Sequence, residues 1–170
     1  MTKHPPEFHL AGLVAALNHH DVAFVIIGGV AMMAHAAPRA TKDLDIVPDP
    51  DPANLDRLWA ALADLDAAPL GLDDFAAHEA VEWTRANLDL GGNWLLATTA
   101  GRIDVLQYVA GVDDYAQLRR NAVDIVAGDA GRIWFAGKDD LIAMKRAAGR
   151  PQDLLDIERI ERGGDPLTGY

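Results

Sequence analysis

The residues best suited to chemistry are two aspartates one apolar residue apart, in Asp43-Leu44-Asp45-Ile46, and a third acid in Arg102-Ile103-Asp104-Val105-Leu106. Side chains in a strand alternate faces, so Asp43 and Asp45 point to one side while Leu44 and Ile46 pack on the other. If Asp104 lies on an adjacent strand, three carboxylates converge. They then repel one another and raise one another's pKa unless a cation sits between them. Hard oxygen donors of this kind suit Mg²⁺ or Mn²⁺, whose shells are completed by water and substrate phosphates. A two-ion arrangement, roughly 3.5 to 4 Å apart, would clamp the attacking and leaving oxygens of a displacement. Relief of that repulsion predicts that Asp104→Asn leaves the metal-free protein at least as stable.

A glycine pair, Gly28-Gly29, follows the apolar run Val22-Ala23-Phe24-Val25-Ile26-Ile27. Without a Cβ, such a turn lets backbone N–H groups approach a phosphate at a helix N-terminus. An ordinary strand-to-helix turn would read the same way, and Asp-x-Asp alone also describes a solvated strand end beside an acidic turn. The order strand, glycines, helix, acidic strand favours the phosphate site. Arg39 and Thr41 precede the acidic strand, where they could touch phosphate or ribose or simply shape the loop after Pro38.

These residues need elements to hold them. Apolar spacing predicts an amphipathic helix over residues 6–19, a buried strand over 22–27, a helix over 30–37 ended by Pro38, and a strand over 44–47. A helix follows over 53–65, then a short one around 75–86. Residues 93–98 and 102–109 read as a hairpin, 113–121 as a helix, 123–126 and 133–135 as strands, and 138–148 and 151–160 as two closing helices parted at Gly149. The fold class is therefore α/β (α+β): a mixed sheet with flanking helices and a C-terminal helical pair. One domain is expected over 1–170, with a core at about 20–110 and a helical part at about 111–162.

The 170 residues, half of them apolar, suffice for a real core. The absence of cysteine removes disulfides, thiolate metal sites and thiol nucleophiles, and with no visible secretory signal it fits a cytoplasmic protein. The longest uncharged stretch, 22–38, is broken by glycines and proline, so no membrane association is expected. A formal charge of −11 argues against a broad nucleic-acid-binding face, though Arg119-Arg120 and the 145–150 region are locally basic. The six histidines show no metal spacing, and no P-loop or nucleophile elbow is present.

Gly28-Gly29 with Asp43-Leu44-Asp45-Ile46 resembles the signature of the DNA polymerase beta nucleotidyltransferase superfamily, and Asp104 falls where that family places its third carboxylate. Ile27-Gly28-Gly29-Val30-Ala31, Arg39-Ala40-Thr41-Lys42-Asp43-Leu44-Asp45 and Leu141-Ile142-Ala143-Met144-Lys145 through Gly149-Arg150-Pro151-Gln152-Asp153 resemble the AbiEii-like and MenT-like nucleotidyltransferase toxins. The resemblance implies that Asp43 and Asp45 bind metals and NTP phosphates. Asp104 would bind a second metal and help deprotonate the acceptor hydroxyl, Lys145 would contact the triphosphate, and Asp153 would support that lysine. Gly29 departs from the serine that many superfamily members carry there, leaving only backbone. Without the resemblance, Lys145 and Arg146 read equally well as solvated helix residues.

The implied reaction moves an NMP group from an NTP to an acceptor hydroxyl of tRNA or another RNA, a protein, or a small molecule such as an antibiotic. A toxin role would bring a cognate antitoxin as partner. Two other readings stay open: a non-catalytic nucleotide-binding or interaction module, and a glycosyltransferase using Asp-x-Asp with Mn²⁺, for which the chain is short and the glycines have no role.

Overall fold

The apolar run before the glycines forms β1 (Phe24–Ile27), and all four of its residues are buried. The structure, a computed structural model, describes residues 6–36, 40–71 and 81–163. Beside β1 lies β2 (Asp43–Pro48), antiparallel to it, with Ile27 opposite Asp45 and Phe24 opposite Pro48. The hairpin expected from residues 93–109 forms β4 (Asn93–Thr98) and β5 (Gly101–Leu106), and β5 pairs in parallel with β2. With β3 (Ala68–Pro69), β6 (Val123–Val126) and β7 (Arg132–Phe135) these make one mixed sheet in the order β3-β4-β5-β2-β1-β7-β6. The expected mixed α/β architecture is thus observed.

Alternation along β2 and β5 divides the sheet into two faces. Leu44, Ile46, Ile103 and Val105 are fully buried on one of them, where α1 (Leu10–His19) and α3 (Pro52–Asp64) pack on each other and reach β5 and β2. Asp51 caps α3, its carboxylate accepting from the N–H groups of Ala53 and Asn54, and Pro52 opens the helix. The other face carries Asp43, Asp45, Asp104 and Leu106 and is overlain by α6 (Lys138–Ala148), which leads into α7 (Pro151–Arg162). Gly149 ends α6 at φ 63°, its N–H donating to the Lys145 carbonyl. The remaining α-helices among the described residues are α2 (Gly28–Ala31), α4 (Arg85–Asp89) and α5 (Tyr115–Asn121).

Several boundaries differ from expectation. The first helix starts at Leu10 rather than residue 6, because the His9 N–H donates to the Ala100 carbonyl and holds the chain against the hairpin turn. Instead of a helix over 30–37, the glycines themselves open the single-turn α2, which tightens into a 3₁₀ turn over Met32–Ala34. Helix α4 begins at Arg85, within the helix expected around 75–86, of which residues 75–80 lie outside the described residues. Strand β3 had no sequence signal; it is two residues long and includes a proline, which an edge position tolerates.

Candidate active site

The parallel register of β2 and β5 sets Asp45 directly opposite Asp104 and Asp43 opposite Arg102. Adjacent strands run about 4.8 Å apart, so three carboxylates and one guanidinium share a patch on a single face. Asp104 is almost wholly buried, whereas Asp43 is partly exposed. Arg102 grips Asp104 with a fork, Nε donating to Oδ1 at 2.9 Å and Nη2 to Oδ2 at 2.8 Å. Its Nε is also 3.8 Å from Oδ2 of Asp43. Asp45 has no such partner among these contacts. Burial, then the charges of Asp43 and Asp104, push its carboxyl up to about 7 against the pull of Arg102 and Lys145.

Gly28 lies against that carboxylate. Its φ is +65°, and a Cβ there would stand 2.1 Å from Oδ2 of Asp45. Both the backbone and the close approach therefore call for glycine. Gly29 is buried in the same turn.

Lys145 is buried on α6, while its neighbour Arg146 is exposed, so the solvated-pair reading holds only for Arg146. The Lys145 ammonium donates to Oδ2 of Asp156 at 2.9 Å and lies 3.8 Å from Oδ1 of Asp153. Its nearer support is thus Asp156, one turn beyond the residue expected. Asp153 mainly engages Arg150, accepting from its backbone N–H at 3.1 Å and from Nε at 2.7 Å. These contacts close the first turn of α7 and hold the Asp153 carboxyl below its usual pKa. Thr41 donates its hydroxyl to the Asp43 carbonyl at 3.1 Å and lies 3.3 Å from Oδ1, which favours the loop-shaping role. Arg39 lies outside the described residues.

A cleft of about 260 Å³ joins these groups. Ile27, Leu106, Val109, Leu141 and Met144 form an apolar wall, and Gly28, Asp45, Lys145, Arg150 and Asp153 a polar one. Sequence reasoning missed Arg102 and Asp156. The first carried a usable signal, since two positions before Asp104 on a strand is the same face. Asp156 had only its one-turn spacing from Asp153.

The donor chemistry fits a hard divalent cation: two oxygen-bearing side chains from one strand, the second short of positive partners and pressed against a glycine. The positions are incomplete, because both Asp104 oxygens are taken by Arg102. Among the described residues no group of three or more His, Cys, Asp or Glu side chains is gathered to hold a metal as it stands.

Residues 9–161 match the family described as "Nucleotidyltransferase of unknown function" (DUF6036). The chain belongs to this nucleotidyltransferase family. No curated protein matches it in sequence. Among solved structures, this nucleotidyltransferase is similar to ANT(2")-Ia in complex with adenylyl-2"-tobramycin, at 12% identity and TM-score 0.54, covering 88% of this chain and 83% of that one. It is also similar to the lincosamide antibiotic adenylyltransferase LnuA, lincomycin-bound, at 14% identity and TM-score 0.54, covering 92% of this chain and 98% of that one. At such identities the likeness is one of fold. No helix among the described residues of the nucleotidyltransferase is long and apolar enough to cross a membrane.

Proposed function

We propose that the protein transfers an NMP group from an NTP to a hydroxyl of a small-molecule acceptor, releasing pyrophosphate. The observation that carries this reading is Asp45, set between Asp43 and Asp104, pressed against Gly28 and opening into the cleft that also holds Lys145. Asp43 and Asp45 would hold Mg²⁺ or Mn²⁺, with Asp104 joining them once free of Arg102. The metal would supply charge neutralisation for the phosphates and the leaving oxygen. Lys145, fixed by Asp156, and Arg150 at the cleft rim place positive charge where a triphosphate would lie, while the Leu106, Leu141 and Met144 wall suits a nucleobase. Asp104 is the carboxylate suited to accept the proton of the attacking hydroxyl. Catalysis would come from positioning and charge complementarity.

A small acceptor is favoured over a polynucleotide by the charge of −11 and by the two fold neighbours, which are bound to adenylyl-2"-tobramycin and to lincomycin. A second reading, a toxin acting on tRNA and restrained by an antitoxin, rests on the toxin-like motifs of residues 27–31, 39–45 and 141–153. Incubation with each α-labelled NTP and Mg²⁺ or Mn²⁺, with a panel of hydroxylated small molecules in one arm and total RNA or lysate protein in another, tests both. Label on a small molecule supports the first reading and label on RNA the second. Label nowhere, with no metal-dependent nucleotide binding by calorimetry, overturns the enzymatic reading.

A further inference from the structure

The Arg102–Asp104 fork sits within the site but has no part yet in the reading above. Arg102 and Asp104 share a face of β5, and Arg102 faces Asp43 across the parallel pairing. Its Nε and Nη2 use one donor each on the two Asp104 oxygens, and Nε also stands near Asp43. Asp104 is nearly inaccessible to solvent, so this fork is the main positive partner shown for that carboxylate. A guanidinium so placed neutralises the acid that a second metal would need and repels any dication approaching it. The same side chain keeps more than a third of its surface exposed, so it has room to leave.

We propose that Arg102 is the built-in counter-cation of Asp104, which limits the nucleotide-free protein to weak binding of a single divalent ion through Asp43 and Asp45. Asp104 becomes a ligand only when a polyanionic triphosphate draws the guanidinium off. The inference rests on the metal-dependent reading above and deepens it: Arg102 acts on the metal through Asp104 and is a positioning residue. Nucleotide and second metal are then coupled, because the ligand that pulls Arg102 away also brings phosphate oxygens to complete the shell. A purely structural Arg102, stitching the strand, would leave metal binding unchanged when replaced by a side chain of similar length.

The test is Mn²⁺ binding, by electron paramagnetic resonance and calorimetry, to wild type, Arg102→Gln, Asp104→Asn and the double variant, with and without a non-hydrolysable NTP. Circular dichroism checks the fold, and Arg102→Lys, which keeps the charge but cannot fork, stands in if the Gln variant does not fold. Without nucleotide, wild type is expected to bind one Mn²⁺. Arg102→Gln should bind about tenfold more tightly and take a second ion, a gain absent when Asp104 is also Asn. Where Lys is used instead, loss of the fork should admit the second ion with a smaller rise in affinity. Mn²⁺ binding by wild type with no tightening and no added stoichiometry in either variant overturns the role of Arg102 and leaves the nucleotidyltransferase reading standing. Tightening that persists in the double variant overturns the link to Asp104. No Mn²⁺ binding by any protein, with or without nucleotide, overturns both.

Discussion

The two ends of the β1–β2 pair are built by opposite rules. At one end Asn54, which is 1% exposed, clasps three backbone groups. It accepts from the Ala23 N–H at 2.7 Å and donates to the carbonyls of Ala23 and Asp49 at 2.9 Å each. Both polar atoms of that amide are bonded, and α3 is tied to the sheet. At the other end Gly28 presses on Asp45, whose carboxyl is pushed up to about 7 by burial and by two neighbouring acids. One end satisfies its polar groups internally, and the other holds a carboxyl among like charges, which a proton or a bound cation would relieve. That contrast sets Asn54 apart from Asp45, since a residue kept for stability alone would gain by leaving a cluster of like charges.

The largest effect expected on this contrast comes from Asp45→Asn. It should reduce transfer by about 10²- to 10³-fold, the scale of losing one group that stabilises transition-state charge. Steady-state kinetics with excess metal and NTP checks this, and a variant with wild-type turnover would remove Asp45 from the catalytic set.

Asn54→Ala attacks the satisfied end and should destabilise by about 1 to 3 kcal/mol, because it removes the partners of the part-buried Ala23 N–H and the Asp49 carbonyl, while the Ala23 carbonyl keeps the Asp49 N–H. Transfer per folded molecule should stay unchanged. Urea unfolding monitored by tryptophan fluorescence gives the first quantity, and a loss of activity beyond the unfolded fraction would mean that the two ends are not independent.

Lys145→Ala should weaken NTP binding by about tenfold, roughly 1.4 kcal/mol. It should also lower stability, since the buried ammonium pairs with Asp156. Nucleotide titrations on folded variant distinguish this from simple unfolding, and unchanged affinity would return Lys145 to a structural role.

A further effect is a pH dependence of the metal-free protein. Asp45 has a folded-state pKa of about 7 against 3.8 for the free carboxyl, so the folded state binds more protons than the unfolded one in between. Stability should therefore be fullest below about pH 4 for this group and fall as pH rises through about 7. Asp45→Asn should abolish that fall and be the more stable protein above pH 7. Denaturation curves in chelator across this range read it directly, and parallel profiles would deny the charge coupling.

Much of this arrangement could be read from the chain. The alternation in Asp43-Leu44-Asp45-Ile46 gave the shared face, the apolar run before Gly28 gave β1, and Gly149-Arg150-Pro151 gave the turn between α6 and α7. What escaped was decided by partners distant in sequence. Nothing local marks Asn54 as a clasp, because its targets belong to β1 and to the loop after β2. The expected stability of Asp104→Asn is also revised: Asp104 is compensated by Arg102, so the unrelieved repulsion belongs to Asp45. The three carboxylates read alike in sequence, and the Arg102 fork on Asp104 and the burial of Asp45 against Gly28 set them apart.

The parallel pairing of β2 with β5 also has a kinetic side. Pairs such as β4 with β5 form from neighbouring chain, but β2 meets β5 only after residues 49–100 close as one long loop, α3 and the hairpin partner included. Loop closure of that kind slows folding. Here the same step brings Asp45 and Asp104 together, so repulsion between the acids falls on the rate of assembly as well as on the finished state. Mild acid, which protonates the carboxyls, should therefore speed that closure, readable as a faster refolding phase at lower pH in stopped-flow fluorescence.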